Sequence, residues 1–480
     1  MKKIIFIFAC CALFLSSCDD WLDIKPKTNV EEEDLFRNEQ GFKEALTGIY
    51  MKMSEPTLYG REMTYGFMDI LAQRYFNNEN DQADYHEETW YTYPSVRTEG
   101  YTNSFWAEDY NLIANLNNLI RNVNDHGEVI RESYRDLIKG EAIGLRSFIY
   151  FDLLRMYGPI YKDNASSPAI PYRTQFNRDV AKLLPASAVA DSIIVSLQEA
   201  EKLLENDPMN IYFPVSSYEV ADVDAFLNYR FNRMNKYAVK AELARVYLWK
   251  GDKANAYKYA KEVVEAKNKK GNKQFNLVTD NAQDPLCSTE LIFSLSMDSK
   301  FFADRIKEEF QIAMWNFHVI LGDIDRLYQI FDTSIDGQND MRLKSGVGFD
   351  ISPNGASCLK YRQENLASFA MENNMPLIRL PEMYYIMAEC TSSLEEATSI
   401  ISLIRGARGL DEINTFKNEK ERMYNIEKEY RKEFYAEGQL WYFYKRLGYE
   451  TFMFCPIAKM TEKNYRFAIP DDEVALGDIN

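Results

Sequence analysis

Residues 233–266 read RMNKYAVKAELARVYLWKGDKANAYKYAKEVVEA. Leu243, Ala244, Tyr247 and Leu248 recur at the three- and four-residue spacing of one helix face, and Ala256 and Ala260 take up the same spacing after Gly251-Asp252. Small residues let two helices approach closely, and Gly251-Asp252 makes the turn between them. The stretch predicts a helix–turn–helix pair.

The pattern extends outward in both directions. Leu380 to Arg405 is a second, degenerate copy, with Ala388, Glu389, Ala397 and Ile404 at matching places. The spacing is that of a tetratricopeptide unit. Glu141 to Tyr157 carries an apolar stripe of Ala142, Leu145, Ile149, Leu153 and Met156, stopped by Gly158-Pro159. Ala190 to Glu205, Glu31 to Tyr50, Trp106 to Val123 and Ile426 to Leu447 also read as helical. The expectation is a mostly α fold of degenerate tetratricopeptide-like pairs over about 31–270 and 376–447. A loop-rich insert with a few short strands, such as Leu291 to Leu295, is expected over about 271–375. Such pairs fix architecture and not function.

The N-terminus sets the compartment. Met1-Lys2-Lys3 precedes an unbroken apolar run from Ile4 to Leu15, then Ser16, Ser17 and Cys18. This is the basic, apolar and small-residue order of a secretory signal, too short to span a bilayer. Leu15-Ser16-Ser17-Cys18 resembles a bacterial lipobox, so residues 1–17 are expected to be removed and Cys18 to carry lipid. Residues 18–30, with Pro26, then read as an extended tether. Loss of Lys2 and Lys3 takes the net charge from −17 to −19. A chain this acidic repels phosphate backbones, which argues against nucleic acid as a partner. Cys287, Cys358, Cys390 and Cys455 lie far apart, which excludes a metal knuckle and leaves a single disulfide open.

Catalytic and cofactor patterns are absent. His86, His126 and His318 are not paired at metal or catalytic spacing, and there is no HExxH, GxSxG, GxGxxG or P-loop. Asp332, Ser334, Asp336 and Gly337 half-resemble a calcium loop, but the twelfth position is Leu343, so an acidic turn is expected. No cofactor or metal is expected, and among 73 carboxylates a pair placed for glycoside hydrolysis stays open. Residues 73–104 instead mix aromatics, amides and acids without a helical stripe and read as a long functional loop. Arg74, Tyr75, Asn77, Asn78, Asp81, Trp90, Tyr91 and Tyr93 could stack on and hydrogen-bond a sugar. A second such mixture, Asp298, Phe301, Trp315, Asn316 and Phe317, lies at 298–317.

The order of segments resembles the SusD/RagB family of nutrient-uptake lipoproteins of Bacteroidetes. The resemblance runs through Cys18; Gly41, Gly48-Ile49-Tyr50; Trp106, Tyr110, Ile113, Asn117; and Gly140-Glu141-Ala142, Leu145-Arg146, Tyr150-Phe151-Asp152-Leu153, Tyr157-Gly158. It continues through Ala238–Ala266; Ile378-Arg379-Leu380, Glu382, Tyr385, Ala388-Glu389; Ile404-Arg405, Arg408-Gly409; Glu429, Arg431, Glu433, Glu437-Gly438, Trp441, Arg446; and Ile469-Pro470. Gln439, Phe443 and Ala468 depart from the family's usual Arg, Asp and Pro, and the usual ending after Glu473 is missing. The resemblance implies one SusD-like domain over 31–480, on a non-enzymatic surface lipoprotein of the outer membrane. It implies capture of a glycan oligosaccharide for a SusC-like TonB-dependent transporter. Acidic Asp19-Asp20 after the cysteine fits surface export in such lipoproteins. Peptide capture of the same uptake type, or a tetratricopeptide-type scaffold for a partner protein, are the alternatives.

Overall fold

The computed structural model describes residues 32–75, 85–210, 224–310, 322–364, 366–367 and 371–476. The lipobox, Cys18 and the tether lie outside them. The longer helices are α1 (Glu39–Met53), α2 (Val96–His126), α3 (Glu132–Tyr157), α4 (Ala186–Leu203), α5 (Lys236–Lys250) and α6 (Lys253–Val264). They continue as α7 (Ser299–Phe310), α8 (Ile324–Ile330), α9 (Leu380–Cys390), α10 (Leu394–Ala407), α11 (Glu419–Glu433) and α12 (Leu440–Leu447). Among the described residues the strands form three two-stranded antiparallel sheets: β1 (Pro168–Pro171) with β2 (Leu183–Pro185), β3 (Leu291–Ser296) with β6 (Asn374–Arg379), and β4 (Phe349–Ser352) with β5 (Gly355–Cys358).

The pair at 233–266 folds as α5 and α6. Asn235 caps α5, its side chain accepting from the Tyr237 and Ala238 amides, and Asp252 caps α6 by accepting from the Asn255 amide. Gly251 between them has φ +81°, a left-handed conformation that costs glycine little. From this pair the packing runs on both sides: α2 on α3, α3 on α4, α4 on α5, α5 on α6, α6 on α9, α9 on α10, α10 on α11. The stack therefore passes directly from α6 to α9, and the intervening residues are set beside it.

Three expected elements have different bounds. The helix expected from Trp106 begins at Val96, so 96–104 is not loop. Ser95 caps it through the Thr98 amide, and its buried face there is Thr98, Thr102 and Phe105. Two of those three are threonines, so no apolar stripe marks them. The helix expected over 31–50 is broken before Glu39, where Asn38 accepts from the Gly41 amide. The helix expected over 426–447 is two helices, separated where Ala436 and Gly438 have φ +65° and +69°.

The interior is aromatic and also ionic. Trp106, Trp441, Tyr65, Tyr150, Tyr157, Tyr361, Tyr385 and Tyr465 are fully buried. Charged groups on β6, α10 and α11 and at their ends meet inside. Arg408 is wholly enclosed and uses all its donor nitrogens: Nε to Glu433 at 3.0 Å, Nη1 to Glu290 and the Val278 carbonyl at 2.8 Å each, and Nη2 to both glutamates at 2.9 Å. Arg379 reaches the same glutamates and Glu437, and Arg342 joins Asp340, Glu429 and Glu433. Surrounding guanidinium charge outweighs burial and holds the Glu429 carboxyl down at about 2. The acidic turn at 332–337 is likewise occupied by cations: Asp332 by Lys428 and Lys432, Asp336 by Arg405. Cys287, Cys358, Cys390 and Cys455 are free thiols.

A candidate ligand cleft

A cleft of about 860 Å³ opens between the end of α1, the turn before α5 and the start of α7. Its size is within the range of ordinary small-ligand sites. Three local features shape it. Tyr229 has φ +50° and caps the 3₁₀ turn Arg230–Asn232, which leaves its ring 42 % exposed, edge-on to Phe231 with centroids 6.0 Å apart. Strand β3 ends at Ser296, and Asp298 accepts from the Lys300 amide at 3.0 Å as α7 begins. That start splits two adjacent rings: Phe302 turns into the core and Phe301 out, 60 % exposed. Asn228, Asn232, Arg233 and Arg305 add amides and guanidinium groups to the lining. The cleft thus pairs two open ring faces with hydrogen-bonding groups of both kinds.

The residues expected to bind ligand are distributed unevenly. Asp298 and Phe301 line this cleft. Trp90 is 41 % exposed at the end of the short helix His86–Thr89. Arg74, Tyr75 and Tyr91 are buried. The Arg74 guanidinium lies 4.8 Å from the Tyr435 ring, and Tyr91 donates to the Leu71 carbonyl at 2.6 Å. Tyr93 is half-buried and donates to the Asn464 carbonyl at 2.6 Å. These four rings and cations hold the loop to the body, because a tyrosine inside a protein needs a partner for its hydroxyl. Asn77, Asn78, Asp81, Trp315, Asn316 and Phe317 lie outside the described residues.

Arg61 ties the two expected regions together. Its Nε donates to Glu309 on α7 at 2.7 Å, and its Nη1 donates to the Tyr85 hydroxyl at 2.5 Å. Tyr85 in turn donates to Glu62 at 2.8 Å and stacks on Tyr101. Tyr229, Asn228, Asn232, Arg233 and Arg305 were not singled out by the sequence. The run Asn228-Tyr229-Arg230-Phe231-Asn232 has the same mixture of amides and rings as 73–104, in a stretch between helices, and that composition was the available signal.

A family profile described as starch-binding associating with outer membrane matches residues 20–248, and one described as the SusD family matches 336–473. The SusD-like protein P38 of Formosa agariphila is 23 % identical over 93 % of this chain and 92 % of its own. The SusD-like protein P2 of the same organism is 26 % identical over 55 % of this chain, and the match spans 46 % of that protein's length. Among solved structures, a SusD superfamily protein from Bacteroides fragilis superposes with a TM-score of 0.70 at 18 % identity, covering 93 % of this chain and 100 % of that one. A SusD-like protein described as laminarin-binding superposes with a TM-score of 0.65 at 17 % identity, covering 92 % and 98 %. The stack from α2 to α11, the order of its motifs and these matches agree: the chain belongs to the SusD/RagB family.

Proposed function

We propose that this protein captures a glycan oligosaccharide at the outer cell surface and hands it to a SusC-like TonB-dependent transporter. The observation that carries the reading is the pair of open rings, Tyr229 and Phe301, facing one cleft beside Asn228, Asn232 and Asp298. The C–H faces of a pyranose pack on such rings, and its hydroxyls take amide and carboxylate partners. The family's description and the laminarin-binding neighbour favour the same ligand class. Trp90 is a further stacking candidate on the same account. Lipid on Cys18 would hold the protein at the outer membrane. Binding, and not bond cleavage, is the activity this requires.

Retardation of the full-length protein, in mild detergent, in native gels containing a panel of polysaccharides tests the reading. The expected result is retardation by at least one glycan, weakened in Tyr229→Ala and Phe301→Ala at unchanged thermal stability. Retardation by none, from folded protein, would move the reading to peptide capture or a partner scaffold.

A further inference from the structure

The ionic groups of the cleft point to the charge of its ligand. Lys52 is neutralised by Glu55 at 2.7 Å and Glu108 at 2.9 Å. Arg233 is different. Its guanidinium lies 4.9 Å from the Tyr50 ring and 4.6 Å from the Phe226 ring, and the side chain is only 16 % exposed. Its Nη1 is enclosed and has no hydrogen-bond partner among the described residues. The nearest carboxylate oxygen, Glu141 Oε2, is 3.9 Å away, beyond hydrogen-bond reach, and already accepts from the Tyr50 hydroxyl at 2.8 Å. The other oxygen of Glu141 is held by Arg230. Arg305, half-buried in the same lining, makes one long contact, Nη1 to the Gly60 carbonyl at 3.4 Å, and no ion pair among the described residues.

Two guanidinium groups therefore face one cleft with Asp298 as the only unpaired carboxylate among its described lining residues. This is unexpected for a chain of net charge −17, whose surface field repels anions. Neither guanidinium has a carboxylate within hydrogen-bond reach among the described residues, and a carboxylate or sulfate suits the guanidinium fork. We infer that the ligand is an acidic glycan, with a carboxylate- or sulfate-bearing sugar seated against Arg233 and Arg305. The inference rests on the glycan reading above and narrows it.

The test places matched pairs in the same gels: oligogalacturonate beside its methyl-esterified form, and a sulfated galactan oligosaccharide beside its desulfated form. The acidic member of one pair is expected to bind at least about tenfold more tightly than its neutral partner, the scale of one charge-assisted bond. Which pair responds separates carboxylate from sulfate. Added salt should weaken the acidic member and leave the neutral one unmoved. Arg305→Gln, a half-buried position with one weak contact, should erase the difference without lowering the unfolding temperature. Arg233→Gln should do the same, and its unfolding temperature is read alongside because it packs on Tyr50. Equal binding within both pairs, or retention of neutral glycans only, overturns the inference and leaves glycan capture standing. Failure with every member of the panel overturns both.

Discussion

Replacing Arg408 by methionine should be among the most damaging single changes in the protein, although it touches no ligand. Methionine fills nearly the same stem volume and removes the guanidinium. Five hydrogen bonds disappear with it, to Glu290, Glu433 and the Val278 carbonyl. Arg379 still reaches both glutamates, so neither is left wholly unpaired. Glu290 nonetheless goes from two cations to one in a site with no exposure. Removing one partner from a buried ionic cluster costs about 3–5 kcal/mol, mostly from the anions left behind. Arg408→Lys keeps the charge but loses the planar fork and should cost less. Urea denaturation followed by tryptophan fluorescence reads the shift in midpoint, since Trp106, Trp249 and Trp441 are all buried. A loss below about 1 kcal/mol would refute the view that this cluster organises the C-terminal half. Glycan retention by the folded variant should be unchanged, because the cluster contributes nothing to the cleft lining.

Four further outcomes follow from particular residues. Glu429, held at about 2 against an ordinary value of 4.5, contributes about 3 kcal/mol that is complete above pH 4.5 and is lost as pH falls toward 2. Glu429→Gln should therefore flatten the acid limb of a thermal-unfolding profile over that window. Gly438→Ala places a Cβ 2.7 Å from the Met63 and Thr64 carbonyl oxygens at φ +69°, and should cost more than about 1 kcal/mol by urea midpoint. Trp90→Ala, at a 41 % exposed position, should leave the unfolding temperature within a degree or so while weakening glycan retardation. Cys18→Ala should move the protein from the membrane to the soluble fraction on cell fractionation, and its retention in the membrane fraction would count against lipid as the anchor.

The helical scaffold was largely legible. Where an apolar stripe and a stop coincide, as at Glu141 to Tyr157 or at the pair around Gly251, the residues that form the helix also announce it. Val96 to Ser104 was not legible, because threonines serve as its buried face and threonine carries no hydrophobic signal. The ionic interior was opaque for a related reason. Arg379, Arg405, Arg408, Glu429, Glu433 and Glu437 are spelled like solvated helix faces, and only their convergence from α10, α11 and β6 turns them into core. Many of the residues that carried the family resemblance prove to be partners of one another: Asn117 with Arg146 at 2.7 Å, Tyr50 with Glu141 at 2.8 Å, Glu389 with Arg446 at 2.7 Å. They specify how the stack closes. The cleft, by contrast, is lined from three separated segments, and the sequence offered only composition to find them. Asp298 and Phe301 were visible that way, while Tyr229 and the two arginines needed the fold to bring them together.

The most direct measurement is a crystal structure of the protein with the glycan that retards it most strongly. The account predicts a pyranose face stacked on Phe301 or Tyr229 and an acidic group of the sugar within hydrogen-bond distance of Arg233 or Arg305. A glycan bound elsewhere on the surface, with this cleft holding only water, would contradict it.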